Sequence, residues 1–183
     1  MSHGLELSMR VDIDPSVARV HYVVKSRAPR VAYLLNLLHL GTPESVDPQL
    51  VYVEFEPRAR MVIVEKRVPD LPTDRNVYQP VAPYVTRLSP GGEFAETLSL
   101  ALPIRERREY DGADDRPLAH ERYNTLRLRL GYYLAPEGTR EEYQDAGERR
   151  LVLPRVPPGT RPEFGELVAE QSALSLSVIA PKS

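Results

Sequence analysis

Period-two alternation of apolar and polar residues recurs along most of this 183-residue chain, and it makes the half-buried β-strand the main building element. In LELSMRVDI, residues 5–13, Leu5, Leu7, Met9, Val11 and Ile13 fall on one side while Glu6, Ser8, Arg10 and Asp12 fall on the other. Asp14-Pro15-Ser16 breaks the run, and VARVHYVVK then alternates again with Ala18, Val20, Tyr22 and Val24 inward, so the two segments predict a hairpin. LVYVEFE (50–56) and MVIVEKRV (61–68) repeat the pattern across Pro57-Arg58-Ala59-Arg60, a connection of hairpin length. The cleanest long strand lies in HERYNTLRLRLGYYLAP (120–136): Tyr123, Leu126, Leu128, Leu130, Tyr132 and Leu134 line the core, with a register adjustment near Thr125, while Arg127, Arg129 and Tyr133 point outward.

The remaining segments read less directly. VAYLLNLLHL (31–40) is apolar on both faces, which suits a covered strand or a short buried helix; a strand is the preferred reading. The proline-rich passage 68–85 holds only edge strand or extended loop, because each proline removes a ladder donor. Residues 105–117 form a charged connection. Short strands follow at RRLVLP and ALSLSVIA. Between them, 154–172 reads as a loop with room for one short helix, since Thr160 and Glu163 have capping-box spacing and Phe164, Leu167 and Val168 share a helical face. The expected fold is an all-β antiparallel two-sheet sandwich of about nine strands in a single domain over residues 1–183, with a closed barrel as the second choice. The 18 prolines, concentrated in the connections, agree with it.

RLSPGGEFAETLSLALP (87–103) is the segment most like a motif. A phosphate cradle needs a glycine loop that opens a helix, with a lysine behind it. Here Phe94, Leu98, Leu100 and Leu102 share one face at period two and no lysine is near, so the glycines mark a turn before a strand. Leu88, Pro90, Gly91 and Phe94 resemble the L-x-P-G-x-x-Y corner of fibronectin type III and related immunoglobulin-like sandwiches. Phe94 stands where that family places its corner tyrosine, so the hydroxyl bond that locks the corner cannot form. The resemblance implies a sandwich that binds a ligand or partner more often than it catalyses.

Composition excludes several chemistries. Without cysteine there is no disulfide, thiolate metal site or cysteine nucleophile. No G-x-S-x-G or H-E-x-x-H string occurs, and His3, His21, His39 and His120 are far apart in sequence. The Asp111–Asp115 run fails as a calcium loop, because Ala113 and Arg122 occupy positions that need oxygen ligands. A net charge of −2 gives no general pull toward nucleic acid or an anionic membrane. No leader pattern or membrane span is present, which makes a cytoplasmic chain the default and leaves a processed secreted chain open.

No catalytic residue, metal or cofactor is therefore expected. All basic residues but Lys25, Lys66 and Lys182 are arginine. Arg127, Arg129 and Tyr133 form the surface set with interface chemistry, and the leading expectation is a non-catalytic module that recognises a protein partner or its own copy. Two alternatives stand beside it. One is a small-ligand carrier with an apolar cavity lined by Leu35, Leu37, Tyr52 and Phe55. The other is an enzyme assembled from distant residues, with His21, His39 or His120 in a metal-dependent form.

Overall fold

The computed structural model describes residues 4–71, 82–110 and 117–181. In chain order the strands are β1 (Leu5–Ile13), β2 (Val17–Ser26), β3 (Ala32–Leu37), β4 (Tyr52–Glu56), β5 (Met61–Lys66), β6 (Tyr84–Leu88) and β7 (Glu93–Ala101). They continue with β8 (Ile104–Arg105), β9 (Leu118–Tyr123), β10 (Thr125–Leu134), β11 (Arg140–Ala146), β12 (Arg149–Arg155), β13 (Glu163–Gln171) and β14 (Leu176–Pro181). Helical structure among the described residues is confined to two single turns, Pro43–Ser45 and Pro57–Ala59.

The predicted first hairpin forms, with β1 and β2 paired from Leu5↔Ser26 to Ile13↔Ala18, and β7 joins the other side of β2 to complete a three-stranded sheet. The turn before β7 is the Pro-Gly-Gly corner, where Gly91 takes a positive φ of 70° that a side chain would resist. The second predicted hairpin also forms: β4 and β5 pair antiparallel across the Pro57–Ala59 turn.

β10 organises the large sheet. Its whole length from Leu126 to Leu134 pairs antiparallel with β13 along one edge. β5 and β3 share the other edge in succession, β5 parallel to Thr125–Leu130 and β3 antiparallel to Tyr132–Leu134. The resulting eight-stranded sheet runs β11-β12-β6-β3-β10-β5-β4 with β13 beside β10, and a small third sheet runs β8-β14-β9. Inward residues of all three sheets, among them Val20, Leu98, Val64, Leu128, Tyr132 and Val178, meet in one core. The sheets are layered and do not close into a barrel.

Several expectations are corrected. The described residues hold fourteen strands, not about nine. β9 and β10 are separate strands on either side of Asn124, and β8 and β11 are further strands: β8 has two residues, and the sequence REEYQDA of β11 is polar on both faces. β6 begins at the end of the proline-rich passage, where an edge strand or extended loop was expected, and lies inside the sheet between β12 and β3. The sheets are not purely antiparallel, because β5–β10 and β8–β14 pair in parallel; their partners are remote in sequence, so no tight turn fixes their direction. Residues 31–40 contribute a strand, Ala32–Leu37.

The short helix expected near the C-terminus is β13. Its inward set is Gly165, Leu167, Ala169 and Gln171, in which Leu167 alone is large and apolar, while Phe164 and Val168 face outward, which hides the alternation. Thr160 bonds back to the Pro157 carbonyl in a turn rather than capping a helix. Gly165 has a packing reason: a Cβ there would stand 2.5 Å from the Tyr132 ring opposite it on β10.

Exposed sheet edges invite unwanted pairing, and here two of them are covered by glutamine side chains and a third by the backbone of Arg107. The Gln49 amide accepts from Ser99 N and donates to Thr97 O on β7, Gln171 accepts from Val11 N on β1, and Arg107 pairs with Val53 on β4.

A polar tie crosses the core between the two larger sheets. Lys66, at the end of β5, is fully buried; its ammonium donates to the Glu96 carboxylate of β7 at 2.6 Å and to the Pro48 carbonyl. Tyr22 of β2 donates to the same Glu96 oxygen. Burial lowers the Lys66 pKa against the pull of Glu96, and burial together with Glu96 raises that of Tyr22.

Two predictions follow from this packing. Glu96→Gln leaves the Lys66 ammonium buried without a counter-charge and costs about 3 to 5 kcal/mol in urea unfolding, whereas replacing both partners by leucine and methionine restores most of that loss. Gly165→Ala forces the Tyr132 ring to move and costs about 1 to 3 kcal/mol by the same measurement; an unchanged midpoint would mean that the ring has room to yield.

Candidate functional site on the outer face of the large sheet

Side chains that alternate away from the core cover the outer face of the large sheet, and the pairing register decides which of them become neighbours. Tyr133 of β10 lies opposite Tyr33 of β3 and opposite Phe164 of β13. The three rings form a row, with centroids 5.1 Å apart for Tyr33 and Tyr133 and 5.4 Å for Tyr133 and Phe164. Arg87 of β6 stands opposite Tyr33, and Val152 of β12 pairs with Val85 of β6, which carries the face outward to the β11–β12 hairpin.

Two recesses share this face. An apolar groove of about 260 Å³ has Leu35, Val85, Tyr133, Val152, Pro154 and Phe164 among its walls. Phe164 at its rim is 62% exposed, whereas Tyr133 at its floor is buried, and burial pushes the Tyr133 phenol up to about 12. Beside the groove lies a polar recess of about 520 Å³ with Arg30, Tyr33, Arg87, Thr139 and Glu141 in its lining. A Gly131 side chain on β10 would collide with Arg67 and Leu35, so the bare glycine lets both close over the strand at the end of the groove.

The β11–β12 hairpin supplies one wall to each recess, yet β12 joins the sheet through the single pair Val152↔Val85. A side-chain latch reinforces that join. Glu141 of β11 accepts from the Tyr33 hydroxyl and from Arg87 Nε, both at 2.7 Å, and from the Tyr143 hydroxyl at 2.9 Å. Burial pushes the Glu141 carboxyl up, but its hydrogen bonds from Tyr33, Tyr143 and Arg87 and the Arg87 charge outweigh it and hold the carboxyl below the ordinary glutamate range.

The structure redistributes the residues singled out from sequence. Arg127 and Arg129 do face outward, but each is tied within the chain: Arg127 makes a two-nitrogen contact with Glu170, and Arg129 bridges Glu65 at 2.6 Å and Glu166 at 3.0 Å. Arg67 joins the same network through Glu65 and Asp70. Tyr133, the third member of that set, belongs to the groove instead.

Leu35, Leu37, Tyr52 and Phe55 do not converge: Leu35 lines the groove, Leu37 packs with Val46, Tyr52 sits with Leu38 and Leu50 and bonds Glu109, and Phe55 joins the main core against Tyr123. His21, His39 and His120 also stay apart, and the described residues hold no group of three or more metal-ligating side chains. His3 and the 111–115 acidic run lie outside the described residues.

Arg87, Glu141 and Phe164 carry the site and were missed, because nothing local in sequence pairs Arg87 with Glu141, more than fifty residues away. Set against family models, curated proteins and solved structures, the chain matches none of them.

A carboxylate whose pKa is depressed by folding stabilises the fold above its unfolded pKa, and that contribution disappears as pH falls through the folded value. The Glu141 latch is thus intact at neutral pH and lost as acidification passes below the ordinary glutamate range. Glu141→Gln removes this acid-sensitive part, so its urea midpoint falls less than that of the native chain between neutral and acidic pH. Equal falls in both proteins would show that the latch does not depend on ionised Glu141.

Proposed function

We propose that this chain is a non-catalytic binding module, an immunoglobulin-like sandwich in kind, that receives an extended segment of a protein partner on the outer face of its large sheet. One observation carries the reading: an apolar groove with an exposed phenylalanine at its rim lies on a face whose other outward side chains are largely charged and internally paired. Exposed apolar surface of this kind, rimmed by polar groups, marks interaction sites. Tyrosine and arginine beside it are the residue types enriched at interface centres.

Groove size supports a peptide over a small-molecule ligand. At about 260 Å³ it falls below the roughly 300 to 1,000 Å³ of pockets that enclose a drug-sized ligand, and it suits one or two apolar side chains of a segment lying across the sheet. The adjoining polar recess supplies Arg30, Arg87 and Thr139 for backbone and polar groups of the same segment. Paired Arg127 and Arg129 lie further along β10 and fix it against β13; they are not free to anchor a partner.

Selection from a random peptide display library on the immobilised protein tests this reading. Expected are peptides with one or two large apolar residues, whose affinity drops roughly 30-fold, about 2 kcal/mol, on Phe164→Asp. Binding survives in the Arg127→Glu, Arg129→Glu double variant once circular dichroism shows it folded. Failure to enrich any peptide over the Phe164→Asp control overturns the proposal, and so does self-association through the groove in light scattering, which would make a second copy its occupant.

A further inference from the structure

On the opposite side of the molecule, the outer face of β1-β2-β7 brings three side chains into line. His21 of β2 sits between Asp12 of β1 and Thr97 of β7: its Nε2 is 3.1 Å from Asp12 Oδ2, and its Nδ1 is 2.8 Å from Thr97 Oγ1. Register places them there, since His21 is the direct cross-strand partner of Thr97 and Asp12 lies one step diagonally away. The carboxylate accepts from Nε2–H and thereby fixes the tautomer, which leaves the Nδ1 lone pair to accept from the threonine hydroxyl. An acid that orients a histidine, and a histidine that takes a proton from a hydroxyl, are the parts that activate an oxygen nucleophile.

The surroundings hold the array firmly while leaving it open. Gln49 clamps the backbone of Thr97 and Ser99 at the sheet edge, and Arg10 donates to the same Asp12 oxygen at 2.7 Å. Thr97 is exposed and the His21 side chain is 36% exposed, so a reagent in solution can reach the hydroxyl.

We propose that Thr97 is a covalent acyl-acceptor site, activated by His21 and oriented through Asp12, with activated esters of small carboxylic acids as donors. The face is open rather than enclosed, and an activated ester, with its good leaving group, makes the least demand on stabilising the oxyanion. In the step, Thr97 Oγ1 bonds to the acyl carbon, the ester C–O bond to the leaving group breaks, and the hydroxyl proton passes to His21 Nδ1 and on to the leaving oxygen. The products are O-acyl threonine and the free alcohol or phenol, with no change of oxidation state.

p-Nitrophenyl acetate serves as the probe. The native chain is expected to release nitrophenolate in a burst and to carry an acetyl group that tandem mass spectrometry places on Thr97. Thr97→Val abolishes that label and Thr97→Ser keeps it. His21→Gln slows labelling by about 100-fold, the ordinary contribution of a positioned base. Asp12→Asn, which frees the tautomer, slows it in the same direction. Acetyl found only on lysines, the N-terminus or His21 overturns the proposal, and so does Thr97 labelling at an undiminished rate in His21→Gln. All these positions lie on the outer face, and circular dichroism confirms the fold of each variant before comparison.

Discussion

Hydrogen bonding along both edges of β10 is the constraint on which the rest of this molecule depends. Its backbone is paired with β13 on one side and with β5 and then β3 on the other, so no ladder group in its centre is left over. Its inward side chains Leu126, Leu128, Leu130 and Tyr132 have no solvent exposure. A strand in this position transmits its register to every neighbour, and a slip by one residue would exchange the buried leucines for Arg127 and Arg129. That cost locks the outer face as firmly as the core, because the same register sets Tyr133 beside Tyr33 and Phe164.

Ionic groups divide the two faces of the large sheet between separate tasks. Inside, the Lys66–Glu96 pair with Tyr22 links the large sheet to β1-β2-β7, and removing either charge alone leaves the other buried and uncompensated. Outside, Arg129 and Glu65 help to hold three adjacent strands together, with Glu65 itself almost fully buried. Arginines spent on such cross-strand pairs have little left for a partner. The apolar groove next to them is then the part of the face with unsatisfied contact surface.

Much of the architecture was legible in the residues. The β1–β2 hairpin, the β4–β5 hairpin, the glycine corner at Gly91 and the inward set of β10 all follow from alternation and turn chemistry. β13 and β11 did not, for opposite reasons. β13 carries Leu167 alone as a large apolar residue inward and Phe164 outward, against the usual contrast, and β11 has almost no apolar side at all. The candidate site was half visible: Tyr133 could be picked out as outward and aromatic, but its groove depends on Val85, Val152 and Phe164, which come from three other strands.

The polar residues Lys66 and Glu96 each interrupt an apolar pattern in sequence, and that interruption was the available signal of the core tie. By itself the sequence determined that the chain forms strands, where hairpins turn and which side of each long strand meets the core, because these follow from side-chain period and local backbone preference. Only the tertiary structure decided which strands became neighbours, and with that the parallel β5–β10 pairing, the internal capture of Arg127 and Arg129, the groove, and the Asp12–His21–Thr97 line. Contacts between residues remote along the chain are set by packing and register across sheets, and no local pattern encodes them.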